Sequence, residues 1–387
     1  MTDKKNSTQQ LLPEDDGLLS GRILPETLTA LGNGLAEIAA RCMIGFSPDS
    51  AFAKATAYSV AGAAAAAGGQ AVLVADCAPV ELGMASVAGD CDCILHIDHS
   101  RLHIYAKGLL PLTASQQQAL AHTCGSGWLQ RSEYGSVSDG EGLRLLYPGE
   151  ILRRLPKTLN CMPEISTGSQ RMLTLLNRLF RGGRGKAMTF QLAQDGRRVS
   201  LFTEEHGWIF YERLLMLVTE QFFAEGRDVA LPFWMPRSAE TLAAQYHRRV
   251  LRYASASDGT DGEARALALR QGITLDGAIL CAEVLRLCSE KGEAAAGWLA
   301  SEPMTHTVRR IVSAPVGQIM NGQEILSRCA SHWELTDTPE GIVADRGSSH
   351  ALIRPSATGR SMTLWTEAES MEMAAELAGQ LTALLER

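Results

Sequence analysis

The 387-residue sequence predicts an α/β protein of several domains, in which mixed sheets are flanked by helices and the last domain is of the α+β type. Three observations predict this. The chain is too long for one compact core and should divide into two to four domains. Its first third alternates short β-rich segments with helical ones, which indicates sheets covered by helices. From about residue 304, several strand patterns follow one another before a closing helix.

The first domain is expected to alternate helix and strand. Glu26–Ala40 has helical periodicity, Cys42–Phe46 is a short apolar strand, and Ala51–Gly68 is an alanine-rich helix that ends at a glycine pair. Glycine suits such an end because it accepts the left-handed backbone of a helix C-cap. Further strands are expected at Ala71–Ala75 and Cys93–Ile97.

The middle of the chain repeats this alternation in a shorter form. The expected helices are Thr167–Arg181, Trp208–Glu225, Glu240–Gln245 and Leu275–Glu290. The expected strands are Ala187–Leu192, Arg198–Thr203 and Asp228–Phe233. Between them, Ser255–Glu263 is rich in Gly, Asp and Ser, which predicts a loop.

The C-terminal segment is expected to form an antiparallel layer backed by a helix. Its strands are predicted at Thr305–Ser313, Gly341–Asp345, Ala351–Arg354 and Met362–Thr366, and its closing helix at Ser370–Glu386. These patterns divide the chain into a flexible tail at 1–19 and domains at 20–155, 156–207, 208–303 and 304–387.

Composition excludes several function classes. A net charge of −7 argues against nonspecific nucleic-acid binding, which needs a basic surface. No apolar run approaches the roughly 20 residues that span a bilayer, so no membrane partner is expected. The N-terminal residues lack the apolar core of a secretory signal, and we expect a cytoplasmic protein. The nine cysteines are scattered through apolar segments and do not suggest a disulfide framework.

The most informative segment is ALIRPSATGR, from residue 351 to residue 360. It predicts a buried strand that runs into a loop carrying Arg354, Ser356, Ala357, Thr358 and Arg360. Two hydroxyls, several loop N–H groups and a guanidinium are the groups that hold a phosphate dianion. The alternative interpretation is an ordinary turn at the end of a strand, with hydroxyls that cap it.

This loop resembles the RPSGTEP phosphate-binding loop of the α-D-phosphohexomutases, the family of phosphoglucomutase and phosphomannomutase. Other landmarks follow in the family's order. Ile44–Ser50 stands in the place of a Gly-x-Asp-x-Arg signature, and Pro111–Thr113 matches "PLT" before a glutamine-rich helix. Leu275–Leu280 and Lys291–Gly292 resemble a helix that begins "DGI" and ends "EKG". The resemblance covers most of the chain from about residue 20. It implies a phosphohexomutase-like fold of four domains, the second shortened, and a phosphorylated sugar as ligand.

The catalytic loop of the resembled family departs from its pattern here. The family transfers a phosphoryl group between a phosphoserine in an "ASHNP" loop and the sugar, which requires a nucleophile and a nearby cation. The corresponding residues are Asp98, His99 and Ser100. If His99 matches the family histidine, Asp98 stands at the nucleophile position, and Ser100 matches only with a shift of register. Asp98 is then either an aspartyl nucleophile or a residue that caps the loop.

The metal loop and the sugar-selecting loop depart as well. The family's "DGDADR" corresponds to Ala193–Arg198, where two of its carboxylates are missing and Asp195, beside Arg197 and Arg198, is the one candidate metal ligand that remains. Magnesium prefers several hard oxygen ligands, so it is expected as a cofactor only if mutase activity survives, and no other cofactor is expected. The family's "GEXSGH" is reduced to Gly262–Arg265, which leaves Glu263 as the candidate substrate residue.

Two hypotheses follow from the resemblance. The first is a catalytically degenerate protein of this fold that retains phosphosugar binding and has a regulatory or scaffolding role. Formation of a homodimer is one way in which it would fulfil that role. The second is an active phosphosugar mutase, an intramolecular phosphotransferase, with Ser100 as phosphoryl carrier and Asp195 in a rebuilt metal site.

A third hypothesis, from a different class, is a metal-binding protein. Cys91, Cys93, His96, His99 and His103 form a dense run of soft-metal ligands. Alternation along a strand sends the cysteines to one face and His96 to the other, which favours structural roles for these side chains.

Overall fold

The structure is a computed structural model that describes residues 17–19, 24–47, 49–99, 101–126, 133–313, 322–329, 333–356 and 359–386. Its strands are β1 Leu18–Leu19, β2 Arg41–Phe46, β3 Gln70–Ala75, β4 Cys93–Asp98, β5 Arg101–Ala106, β6 Ser136–Asp139, β7 Met162–Thr167, β8 Ala187–Leu192, β9 Val199–Thr203, β10 Gly207–Ile209, β11 Val229–Pro232, β12 Val250–Tyr253, β13 His306–Ser313, β14 Glu334–Thr338, β15 Gly341–Arg346, β16 Ser349–Pro355 and β17 Ser361–Ala368. Its α-helices are α1 Pro25–Ile38, α2 Ala51–Ala66, α3 Pro79–Ala88, α4 Ala114–Ser126, α5 Glu141–Arg144, α6 Leu146–Arg154, α7 Gln170–Leu179, α8 Tyr211–Ala224, α9 Ser238–Gln245, α10 Gly262–Gln271, α11 Gly277–Lys291, α12 Ala295–Ala300, α13 Gly322–Cys329 and α14 Met371–Leu385.

The first sheet has six strands in the order β1-β5-β4-β2-β3-β6. Strands β2, β3, β4 and β6 are parallel, whereas β5 pairs antiparallel with β4, and β1 in turn pairs antiparallel with β5 at the edge of the sheet. Parallel strands need crossover connections, and the helices α2 and α3 supply them. At the end of the segment expected as a flexible tail, Leu18 and Leu19 pair with His103 and Leu102 of β5.

The second and third sheets are small and share a core with their neighbours. The second has the order β10-β9-β8-β7, and the third pairs β11 with β12 in parallel. One hydrophobic cluster contains Val74, Phe190, Phe222 and Leu285, which come from the first sheet, the second sheet, α8 and α11. Units this small bury too little apolar surface on their own, so their shared core stabilises them together. The expected boundary between residues 207 and 208 falls inside β10.

The fourth sheet is antiparallel throughout, in the order β13-β17-β16-β15-β14, and α14 packs on one face. Ile353, Leu364 and Leu381 lie in the core between the sheet and this helix. The predicted α+β character of the C-terminal domain is therefore confirmed. Among the described residues, no helix is both long enough and apolar enough to cross a bilayer.

Candidate functional site

A cavity of about 900 Å³ lies where parts of all four sheets meet. The described residues that line it include five arginines, three histidines, two aspartates and several aromatic and hydroxyl side chains: Arg101, Arg197, Arg198, Arg309, Arg354, His96, His99, His103, Asp98, Asp195, Tyr105, Tyr211, Trp234, Tyr253, Trp365, Ser255, Thr274, Ser356, Ser361 and Thr363. An excess of cations over carboxylates in a concave site raises the local concentration of anions. The cavity therefore suits an anionic ligand, although the whole chain is acidic.

The fourth sheet presents one face to this cavity because strand residues alternate between faces. That face carries two cations, three hydroxyls and two apolar side chains: Arg309, Ile311, Arg354, Ser356, Ser361, Thr363 and Trp365. The alternating residues Met362 and Leu364 lie in the core on the opposite face. This wall combines charge with hydroxyl donors, which are the groups that bind phosphate oxygens.

The loop predicted to bind phosphate forms part of this wall. Ser356 accepts a hydrogen bond at its Oγ from the Ser361 backbone N–H (3.2 Å), and its carbonyl accepts from Gly359 (2.9 Å). Arg360 is exposed, whereas the predicted residues Ala357 and Thr358 lie outside the described residues.

Arg354 is largely buried and already bonded within the protein. Its guanidinium pairs with the Glu340 carboxylate, and its Nη1 donates to the Ser255 hydroxyl at 2.5 Å. The guanidinium carbon also lies 4.8 Å from the centre of the Trp365 ring, a cation–π distance. The arginine singled out by the sequence therefore reaches the cavity, but an internal carboxylate holds it.

The first sheet contributes a tight hairpin to the opposite wall. The strands β4 and β5 are antiparallel, Asp98 pairs with Arg101, and only two residues connect them. His99 in this connection has a φ of 39°, which is rare for a residue with a side chain. Its Nδ1 bonds the Asp98 carboxylate at 2.5 Å. The catalytic candidates Asp98 and His99 therefore line the cavity and bond each other, whereas Ser100 lies outside the described residues.

A second tight hairpin, between β8 and β9, carries Asp195. The Asp195 carboxylate accepts the backbone N–H of Arg197 at 3.0 Å, and Ala193 N–H bonds the Arg198 carbonyl at 2.9 Å. The described residues contain no group of three His, Cys, Asp or Glu that could hold a metal ion. One carboxylate beside two arginines does not fit a magnesium ion, which takes several oxygen ligands.

The hairpin that carries Asp195 rests on the start of α11. A Cβ added at Gly277 would lie 2.8 Å from the Gly196 carbonyl oxygen and 3.1 Å from the Arg198 carbonyl. Since both contacts are backbone, we expect Gly277→Ala to destabilise the protein by about 1–3 kcal/mol through overpacking.

The matched control is Gly262→Ala, at the first residue of α10, where nothing lies within 4 Å of the added Cβ. It should leave stability unchanged or raise it by about 0.5 kcal/mol, because alanine favours helices. Urea unfolding of both variants tests this. Equal stability of the two would contradict the close packing of the hairpin.

Arginine side chains stack on aromatic rings around the cavity. The Arg197 guanidinium lies 5.0 Å from the centre of the Tyr105 ring, and Arg198 lies 5.1 Å from that of Trp234. Trp234 itself stacks on Trp365 with ring centres 6.4 Å apart. Such stacking holds the charged groups in place while leaving donors for a ligand.

His96 lies on the same face of β4 as Asp98 and is almost fully buried. Its Nε2 donates to the Cys77 carbonyl oxygen at 3.2 Å, which leaves Nδ1 unprotonated in the neutral ring. Burial lowers the pKa of His96 to about 4, so the imidazole is neutral at physiological pH. It therefore adds a polar group, but no charge, to the cavity.

The cysteine and histidine run does not converge. Cys91 packs in the core cluster that contains Ile94, whereas Cys93 lies in the separate cluster under α1 and α2. The expectation that both cysteines share one face is wrong, although Cys93 and His96 do lie on opposite faces. The metal-binding hypothesis thus lacks a ligand cluster within the described ranges of the chain.

Glu263 lies away from the cavity. It is exposed in the first turn of α10, where its carboxylate accepts from Arg249 at 3.2 Å, and it does not line the cavity. Conversely, the sequence reasoning missed Arg309, Ser361 and Thr363. Their signal was the alternation of polar and apolar residues along β13 and β17, which identifies the face turned away from the core.

Comparisons with known proteins bear on the fold. No family model matches the chain, and no curated protein matches it at a significant level. Solved structures do match. A phosphoglucomutase/phosphomannomutase family protein of Burkholderia thailandensis has a TM-score of 0.69 at 14% identity, with 97% of each chain covered. A candidate phosphomannomutase of Thermus thermophilus has a TM-score of 0.62 at 12% identity, covering 93% of this chain and 95% of that one.

A third match includes a ligand. A variant of the Aspergillus fumigatus N-acetylphosphoglucosamine mutase, in complex with glucose 1,6-bisphosphate, has a TM-score of 0.51 at 9% identity and covers 100% of this chain and 99% of that one. These likenesses run over nearly the whole chain. They confirm that the protein has the multidomain α/β fold of the α-D-phosphohexomutases, as the order of motifs predicted.

Proposed function

We propose that the protein binds a phosphorylated sugar in the central cavity and does not transfer its phosphoryl group. The observation that carries this proposal is the cavity itself, in which five arginines face two aspartates among the described lining residues. The cavity lies in a fold whose relatives include a mutase in complex with glucose 1,6-bisphosphate.

The fourth sheet is suited to bind the phosphate group. Arg309 on β13 and the hydroxyls of Ser361 and Thr363 on β17 lie on one face, and all three line the cavity. Charge-assisted hydrogen bonds from a guanidinium to phosphate are short and strong, and hydroxyls add directional donors. Arg101 and Arg198 line the cavity from other elements and would contact a second anionic group or the sugar oxygens.

The two tight hairpins support the proposal that the protein does not transfer a phosphoryl group. Phosphoryl transfer requires a nucleophile in line with the phosphorus atom and cations that balance the developing charge. The connection between β4 and β5 is two residues long, and the carboxylate of Asp98 is bonded to His99. Asp195 stands beside two arginines and does not fit magnesium. Binding without turnover would serve a regulatory or scaffolding role, in which occupancy by the sugar phosphate is the signal.

Titration calorimetry with glucose 1-phosphate tests the binding. Arg309→Ala should weaken binding by at least about tenfold, since a charge-assisted hydrogen bond contributes about 1.5–3 kcal/mol. Arg248→Ala is the matched control, because Arg248 is an exposed arginine that does not line the cavity. No binding by the wild type, or equal loss in both variants, would contradict the proposal.

Intact-mass spectrometry separates binding from catalysis. After incubation with glucose 1,6-bisphosphate and magnesium, we expect the mass of the protein to be unchanged. A gain of one phosphoryl group, mapped to Ser100 or Asp98, would instead favour the active mutase. Ser100→Ala would then show whether the hydroxyl carries the group.

A further inference from the structure

The partner of Arg354 is an internal anion. Glu340 lies in the turn between β14 and β15, and its side chain is fully shielded from solvent. Its carboxylate accepts from the Arg354 guanidinium, from the Ser255 backbone N–H at 2.5 Å and from the Ser255 hydroxyl at 2.7 Å. A guanidinium, a hydroxyl and a backbone N–H are also the donor types that bind a phosphate oxygen.

The approach of this turn to Arg354 depends on a glycine. Gly341 has a φ of 142°, and a Cβ there would lie 2.5 Å from the Ile353 carbonyl oxygen and 3.2 Å from the Arg354 Cα. The turn can therefore lie directly on β16, which brings the side chain of Glu340 over the guanidinium. The backbone of the β14–β15 hairpin therefore positions the Glu340 carboxylate beside Arg354, and the contact does not depend on a long surface side chain that folds back.

The same carboxylate joins the fourth sheet to another part of the chain. Ser255 follows β12 of the third sheet, and its carbonyl accepts from the Gln117 side chain of α4 at 3.4 Å. Both Arg354 and Ser255 line the large cavity, and with Glu340 they also line an adjoining cavity of about 290 Å³. The contact thus lies between the two chambers, at the wall where the phosphate of a ligand would bind.

We infer that Glu340 occupies the guanidinium of Arg354 as an internal competitor of the ligand phosphate, and so controls occupancy of the cavity. This inference rests on the proposed function. The Glu340 carboxylate accepts from Nη1 of Arg354, and a phosphate can take this donor only when the carboxylate leaves it, which loosens the contact between the β14–β15 turn and Ser255. The measured affinity is then the affinity of the released site multiplied by the fraction of molecules in which Arg354 is available.

A second buried carboxylate supplies the control. Glu367 on β17 accepts from the Arg237 and Ser238 backbone N–H groups at 2.6 and 3.0 Å, and from the Thr305 hydroxyl at 2.5 Å. These donors lie at the start of α9 and before β13. Glu367 therefore also fastens the fourth sheet to the rest of the chain, but its partners do not include Arg354.

The test is calorimetric titration of the full chain with inorganic phosphate and with glucose 1-phosphate. Glu340→Gln removes the competing charge at nearly constant volume and should tighten the binding of both ligands by about tenfold or more. Glu340→Asp keeps the charge but shortens its reach, and should tighten binding in the same direction. Glu367→Gln should leave both affinities within about twofold of the wild type.

Each outcome is decisive. Unchanged or weaker binding by both folded Glu340 variants would overturn the inference, and so would equal tightening by Glu340→Gln and Glu367→Gln, which would indicate a loosened interface. If the wild type binds glucose 1-phosphate and Arg309→Ala weakens it while the Glu340 variants have no effect, the competitor is excluded but the proposed function stands. If neither the wild type nor any variant binds glucose 1-phosphate, the proposed function itself fails and the inference fails with it.

Discussion

Replacing Arg354 by methionine should destabilise the folded chain by about 3–5 kcal/mol, because it leaves the carboxylate of Glu340 buried without this cation. The side chain of Glu340 is fully shielded and that of Arg354 is only 10% exposed, so solvent cannot replace the lost partner. Methionine keeps most of the apolar stem of arginine, and the contact with Trp365 is therefore partly retained. Urea unfolding at neutral pH measures the change.

The double variant Arg354→Met/Glu340→Gln separates charge from packing. If the loss arises from an uncompensated buried charge, the double variant should recover at least about 1–3 kcal/mol relative to Arg354→Met alone. Purely additive effects of the two substitutions would show that the ion pair is not the cause. The Arg354→Met variant should also bind inorganic phosphate more weakly than the wild type, because one cationic donor is lost while Arg309, Ser361 and Thr363 remain.

Replacing His96 by glutamine should remove a pH dependence of stability of about 3 kcal/mol. Burial lowers the pKa of His96 to about 4 in the folded protein, against an ordinary value of 6.5. Between these values the unfolded chain binds a proton that the folded chain does not. The contribution of the neutral histidine is therefore full above pH 6.5 and is lost as pH falls towards 4. Glutamine keeps a donor for the Cys77 carbonyl but does not titrate.

The measurement is the difference in unfolding free energy between each variant and the wild type, followed with pH by urea unfolding. For His96→Gln, the stability of the variant relative to the wild type should rise as pH falls from 6.5 to 4. Asp276→Asn is the control of opposite sign. Burial raises the pKa of Asp276 from its ordinary value of 3.8 to about 6. The stability contributed by the protonated carboxyl group is therefore lost as pH rises from 3.8 towards 6. The relative stability of that variant should rise with pH. Parallel curves for His96→Gln and the wild type would contradict a buried neutral imidazole.

The proposed function and the inference about Glu340 assign different roles to the fourth sheet. The face of this sheet that lines the cavity, with Arg309, Ser361 and Thr363, would bind the phosphate whether or not Arg354 is available. Arg354 would join them only after leaving Glu340. Occupancy of the cavity would then be coupled to the contact between the β14–β15 turn and Ser255, which is the kind of two-state element that a regulatory protein requires.

Local sequence patterns were sufficient to predict most of the secondary structure. The strand at Ala187–Leu192 has the predicted bounds, and the helix expected at Leu275–Glu290 is observed at Gly277–Lys291. Both are determined by apolar periodicity over a few residues, together with capping groups such as Asp276, whose carboxylate accepts from two N–H groups at the start of the helix. The order of short motifs along the chain was also enough to predict the fold, which nearly full-length structural likeness confirms.

What the sequence by itself determined, therefore, was the order of the elements, the fold and the position of Arg354 at the end of a buried strand. Only the tertiary structure decided what Arg354 binds. Glu340 and Ser255 are 85 residues apart in the sequence, and no periodic pattern relates them to each other or to Arg354. The cavity likewise joins His96 of the first sheet to Trp365 of the fourth. Such contacts arise from the packing of whole sheets, and local propensity carries no information about which side chains that packing brings together.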